Sequence, residues 1–107
     1  MSPDKDIFCK IVSGEIQTNK IAEDTDWLAI HDIHPKAPIH ALVIPKKHVE
    51  LQDVDATLAG TLLVGAREVA QKLGIDKNGF RVIINHGEHG GQEIPHLHIH
   101  VLGGKRL

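Results

Sequence analysis

Residues 96–102 read His96-Leu97-His98-Ile99-His100-Val101-Leu102, three histidines alternating with aliphatic residues. Side chains of an extended chain point to opposite faces with a period of two, so in a strand His96, His98 and His100 share one face and Leu97, Ile99 and Val101 share the other. Burial of the aliphatic set holds three imidazoles in a row on the opposite side. Imidazole changes protonation near neutral pH and serves as nucleophile, proton carrier or metal ligand. The segment therefore predicts one strand of a half-covered sheet and, on its other face, a chemical site.

The rest of the chain sets limits on that site. At 107 residues it is expected to form one domain, residues 1–107, with a core large enough to fold without a disulfide or a structural metal. Lys and Arg number 12 against 14 Asp and Glu, a net charge of −2, which excludes the basic footprint of a dedicated nucleic-acid binder. The single cysteine, Cys9, cannot form an internal disulfide, and the sequence has neither a charged-then-apolar leader nor a long apolar run. The expectation is a soluble protein of the cytoplasm with no membrane or nucleic-acid partner. Histidine is the outlier, with nine residues, five of them between His86 and His100.

Working back from the histidine row, Phe80-Arg81-Val82-Ile83-Ile84-Asn85 reads as a strand, joined to Leu97–Leu102 by a polar, glycine-rich loop from His86 to Gln92. Leu58, Leu62, Ala66, Val69 or Ala70, and Leu73 are spaced as one helical stripe, which predicts a long helix from Asp55 to Leu73 stopped at Gly74. Leu63 and Val64 widen its apolar surface, as a helix facing a second subunit or a well-covered core helix would. The apolar run His40–Ile44 predicts a strand covered on both faces. Lys20–Glu23 and Trp27–His31, separated by Asp24-Thr25-Asp26, predict a hairpin. A short helix through Ile7, Phe8, Ile11 and Val12 is expected to start at Ser2-Pro3-Asp4 and stop at Gly14. Strands adjacent in sequence favour an antiparallel sheet with helices packed on it, so the class is α+β.

Three readings of the histidine row compete. It is the polar face of a half-exposed strand; or a metal site, with further ligands from Cys9, His48, His86, His89 or Glu93; or a site of nucleophilic chemistry on a phosphoryl group. In the last, one imidazole attacks phosphorus while its neighbours stabilise charge and fix the tautomer. Gly90-Gly91-Gln92 adds weight, because glycine accepts positive φ and consecutive amides can then form a concavity for an anion.

Taken together, the triad, Asp6-Ile7-Phe8-Cys9-Lys10-Ile11, Trp27–Ile33, Pro38–His48, Asn85, Gly90-Gly91-Gln92 and Gly103-Gly104 resemble the histidine triad (HIT) family of nucleotide-binding proteins, and within it the Hint branch of purine nucleoside phosphoramidases. The resemblance implies a HIT-like α+β fold: a five-stranded antiparallel sheet with one long and one short helix, and a homodimer whose two sheets join into ten strands. It implies cleavage of the P–N bond of a purine nucleoside 5′-phosphoramidate through a nucleotidyl-histidine intermediate, with no cofactor. The alternatives are a diadenosine polyphosphate hydrolase, a nucleotide-binding partner protein with little turnover, and a metal-dependent hydrolase.

The same resemblance assigns roles. His98 would be the nucleophile, His100 would hydrogen-bond the phosphate oxygens, and His96 would link to His40 in a relay that orients the nucleophile and supplies the proton to the departing amine. Asp32 would bind the ribose hydroxyls, with Ile33 and Phe8 or Ile11 as apolar walls for the base. Asn85, Gly91 and Gln92 would hold the phosphate. Two departures stand out. Glu93 replaces a serine that contacts phosphate in many relatives. Some bacterial relatives carry zinc on a Cys-x-x-Cys near the N-terminus; here Asp6 occupies its first position, so the expectation is no metal, with Asp6, Cys9, His48 and His96 the set that would otherwise hold one.

Overall fold

A computed structural model describes residues 6–107 of the chain. The elements follow in the order α1 (Ile7–Ser13), β1 (Lys20–Glu23), β2 (Trp27–His31), β3 (Ile39–Pro45), α2 (Ala56–Lys72), β4 (Arg81–Ile83), a short 3₁₀ turn (Glu88–Gly90) and β5 (Ile99–Gly103). The five strands form one sheet in the order β1-β2-β3-β5-β4, and every neighbouring pair is antiparallel. This is the expected α+β architecture, with one long and one short helix. No helix among the described residues is long and apolar enough to cross a membrane.

Local chemistry sets the helix ends. Ser2-Pro3-Asp4 lies outside the described residues, and α1 is capped by Asp6, whose Oδ1 accepts the Cys9 N–H at 2.8 Å. Gly14 ends it in the left-handed conformation at φ 87°. Asp55 caps α2 in the same way, accepting the Leu58 N–H at 2.8 Å. One face of α2, Leu62, Gly65, Ala66, Val69 and Ala70, is buried, whereas Leu63 and Val64 remain 57% and 42% exposed. At Gly65 the helix lies so close to the sheet that a Cβ would sit 2.7 Å from Cε2 of Trp27.

Strand alternation sorts the core into two layers. Ala29, Ala41, Val43, Ile99 and Val101 pack with α2 on one face of the sheet, joined by Leu97 and Trp27. Leu28, Ile30, Leu42 and Ile44 form the other layer, covered by Phe8 and Ile11 of α1. The register sets Leu42 opposite His100 and His40 opposite Leu102, so His40 and His100 are diagonal neighbours on the α1 face. Both β4 and the triad strand differ from the expected bounds. The β4 ladder covers Arg81–Ile83 instead of 80–85, and β5 begins at Ile99 instead of Leu97. Ile83 is the last β4 residue with a partner, opposite His100. Before Ile99, the backbone of the histidine row turns to other partners: Leu97 N–H donates to the Val49 carbonyl at 2.8 Å, and the His96 carbonyl accepts from a side chain.

Candidate active site

The three imidazoles share a face, as alternation requires, but hydrogen bonding makes them unequal. His98 Nδ1 lies 2.7 Å from the His96 carbonyl oxygen. A carbonyl only accepts, so Nδ1 carries the proton and Nε2 is left with a lone pair. Burial pushes the His98 pKa down, outweighing the His96 carbonyl bond, which favours the charged form. At neutral pH this ring is therefore a neutral imidazole with its nucleophilic nitrogen free of a proton. Phe8 packs on it with ring centroids 4.8 Å apart, and the His100 ring stands 5.1 Å away.

A second chain of hydrogen bonds fixes His40 and His100. Lys36 N–H donates to His40 Nδ1 at 3.0 Å, which places the His40 proton on Nε2. That Nε2 lies 2.9 Å from His100 Nδ1 and 3.4 Å from Asp32 Oδ2. Donation to His100 Nδ1 leaves the remaining His100 proton on Nε2, a buried atom with no hydrogen-bond partner among the described residues. Burial, reinforced by the neighbouring His98 and His40, pushes the His100 pKa down to about 4; burial lowers that of His40 as well. Both rings are neutral at pH 7, as the tautomer assignment needs. A buried donor without a partner costs about 1–3 kcal/mol, so His100 Nε2–H favours an acceptor such as a phosphoryl oxygen.

The structure corrects the expected relay between His96 and His40. His96, wholly buried, directs Nε2 at the Pro45 carbonyl, 3.0 Å away, and Nδ1 at Asp6 Oδ2, 3.2 Å away. His40 pairs with His100 instead. The sequence held the signal only indirectly, because the pairing depends on the β3–β5 register.

Asp32 sits where β2 gives way to a loop, its N–H donating to the His40 carbonyl at 2.9 Å. Its Oδ1 accepts the His34 N–H at 2.8 Å, an Asx turn, and Oδ2 faces His40. Ile33 beside it is 83% exposed and free to wall a ligand. Phe8 and Ile11 are buried in the core layer; Phe8 touches the nucleophile, while Ile11, 6% exposed, supports α1 from within.

The glycine-rich loop also departs from expectation. Gly90, Gly91 and Gln92 all spend their N–H groups inside the loop, on the carbonyls of Gly87, Glu88 and Gly87 at 3.1 Å each. Gln92 Oε1 accepts the Gly87 N–H at 2.8 Å. Gly91 supplies the positive φ, 76°, that closes the turn. These amides brace the loop instead of facing an anion. Asn85 is half-buried two residues beyond Ile83, the residue opposite His100, and Glu93 is exposed.

Among the described residues, two groups of donors converge closely enough to hold a metal ion: Asp32, His40 and His100, and Asp6, Cys9, His48 and His96, each with its ligand atoms within 4.8 Å of one another. The first is closed by its own His40–His100 hydrogen bond, which occupies the His100 Nδ1 lone pair. The second has the carboxylate, thiol and imidazole composition suited to zinc.

An antiparallel sheet with a row of histidines on its α1 face defines a histidine-triad class of site, and related sequences and structures agree. Residues 13–107 match the HIT domain. An uncharacterised HIT-like protein of Buchnera aphidicola is 46% identical over 107 residues, covering 96% of both chains. The structure of a histidine triad protein from Clostridium difficile superposes with a TM-score of 0.91 at 45% identity, covering 100% of this chain and 96% of that one. A HIT family hydrolase from Legionella pneumophila gives 0.89 at 42% identity, with 94% and 93% covered. This chain belongs to the HIT domain family.

Proposed function

We propose that the protein is a nucleotide-binding hydrolase that cleaves the P–N bond of purine nucleoside 5′-phosphoramidates. The observation that carries this reading is the pair of tautomers on neighbouring rings: a lone pair on His98 Nε2 and a buried N–H on His100 Nε2 that has no partner among the described residues. His98 Nε2 attacks phosphorus and the P–N bond to the amine breaks. His100 Nε2–H stabilises the charge that builds on the phosphoryl oxygens. The departing amine takes its proton from solvent, because the neutral His40–His100 pair has no acidic proton to give. Water then attacks the nucleotidyl-histidine, the bond from phosphorus to His98 breaks, and the nucleoside monophosphate leaves. The Legionella relative named as a hydrolase supports the reaction class.

Substrate contacts follow from the same geometry. Asp32 retains acceptor capacity for the ribose hydroxyls beyond the His34 bond, and exposed Ile33 offers an apolar surface to a purine. Edge strand β4, with Leu63 and Val64 exposed on α2, supports a homodimer that extends the sheet to ten strands. Sedimentation of the purified protein should give twice the chain mass. The reaction is tested by incubating the protein with an adenosine phosphoramidate and with a diadenosine polyphosphate. Faster amine release supports the proposal; faster polyphosphate cleavage, or nucleotide binding without turnover of either, contradicts it.

A further inference from the structure

We infer that the groove between α2 and the β1–β2 turn binds a small organic cation that carries a hydrogen-bond acceptor on an apolar body, such as an arylalkyl amine bearing a carboxamide. The groove lies on the α2 side of the sheet, across it from the triad, and encloses about 490 Å³. Its floor is Trp27, the one tryptophan of the chain and only 3% exposed. The helix approaches that ring through Gly65, where a Cβ would stand 2.7 Å from Cε2 and 2.8 Å from Nε1, so the absence of a side chain leaves the N–H edge uncovered. The indole N–H makes no hydrogen bond to a described residue, and its nitrogen is not sealed in the core. It opens onto the groove that Trp27 and Gly65 line together. A donor in that position, on an otherwise buried ring, is satisfied by an acceptor that enters beside Gly65.

The walls set the charge and the shape of the occupant. Thr57, Thr61, Val64 and Glu68 recur every three to four residues and make one face of α2 into a wall. Thr61 donates its hydroxyl proton to the Thr57 carbonyl at 3.0 Å, which leaves its oxygen as an acceptor, and exposed Val64 supplies apolar surface. Asp24 stands opposite, in the turn, with Oδ1 spent on the Thr25 N–H at 2.7 Å and Oδ2 left over. Glu68 makes no ion pair with a described residue. Two carboxylates line the groove and no lysine or arginine does. A cleft with one sign of charge draws in the opposite sign and turns away an anion of the same shape.

The groove is separate from the edge through which two chains would pair. Trp27 belongs to β2, and the strand order β1-β2-β3-β5-β4 places it towards the end of the sheet away from β4. Leu63, next to Val64 in sequence, points about 100° away around the helix. The triad residues lie on the other face of the sheet, so the site stands independently of the proposed reaction.

Because the chain has one tryptophan, the floor of the groove is its own reporter. The full-length, isotopically labelled protein is titrated with para-(aminomethyl)benzamide and, in parallel, with para-carboxybenzamide, which keeps the ring and the amide and replaces the ammonium with a carboxylate. The amine should shift the indole N–H resonance and the Trp27 emission saturably, at roughly millimolar concentration for a ligand of this size; the acid should shift neither. Asp24→Asn and Glu68→Gln should each weaken binding by about two- to fivefold, as exposed ion pairs do, and raised ionic strength should shrink that difference. Gly60 lines the groove, and a Cβ there would meet nothing within 4 Å, so Gly60→Leu should abolish the shift in a protein that circular dichroism shows to be folded. No saturable shift in the wild type, an equal response to amine and acid, or an undiminished response in Gly60→Leu overturns the site. An indole resonance that moves on dilution of the protein and ignores the amine assigns the groove to a second copy of the chain and overturns it as well. None of these readouts requires turnover, so a failed hydrolase reading leaves them intact.

Discussion

Acidification should destabilise the fold through His100, by an amount that can be worked out from the site. Its pKa falls from the ordinary 6.5 to about 4 on folding, with burial the first cause. The folded state therefore binds fewer protons than the unfolded chain, and stability is lost as the pH drops below 6.5, levelling off only below the folded value. Between about pH 8 and about pH 5 full linkage gives roughly 2 kcal/mol. His100 is only partly buried, so solvent screening reduces this to about 1 kcal/mol. His100→Gln removes the titrating group and keeps a hydrogen-bonding side chain. Urea unfolding followed by far-UV circular dichroism at both pH values should show the wild type losing about 1 kcal/mol more than the variant. Equal losses in the two proteins, or a wild type that gains stability on acidification, would refute the neutral, partly buried His100 on which the tautomer chain rests.

Two further perturbations separate packing from binding. Gly65→Ala places a methyl group 2.7 Å from the Trp27 indole; overpacking of that kind should cost about 1–3 kcal/mol, read as a lowered midpoint in thermal or urea unfolding, and an unchanged midpoint would contradict the close approach of α2 to the sheet. Asp32→Asn can keep the turn bond to His34 N–H while losing the charged acceptor. Calorimetry should show AMP binding weakened by roughly tenfold or more, the 1.5–3 kcal/mol of a hydrogen bond to a charged group, with stability little changed; undiminished affinity would remove Asp32 from the ribose site.

Much of this fold could be read in the residues because local signals and burial pattern agreed. The period-two run at 96–102, the stripe from Leu58 to Leu73 and the stops at Gly14 and Gly74 each had one natural interpretation. The partnerships within the site were harder. His40 and His100 are 60 positions apart, and their hydrogen bond depends on the β3–β5 register, which no local pattern specifies. The loop at Gly90–Gln92 misled for a different reason: its composition suits an anion cradle and a self-bonded turn equally, and the direction of each amide decides between them. Asp6 was legible as a departure from a zinc-binding pattern, but its approach to His48 and His96 required the folding of α1 against the triad strand.

The central claim is that His98 Nε2 is the nucleophile. Rapid quenching of the protein with an adenosine 5′-phosphoramidate, followed by peptide mass spectrometry, tests it most directly. The account predicts an adenylyl adduct on the peptide containing His98, no adduct in His98→Ala, and turnover in that variant reduced by roughly 10⁴-fold or more. An adduct on another residue, or a His98→Ala variant that turns over at close to the wild-type rate, would contradict it.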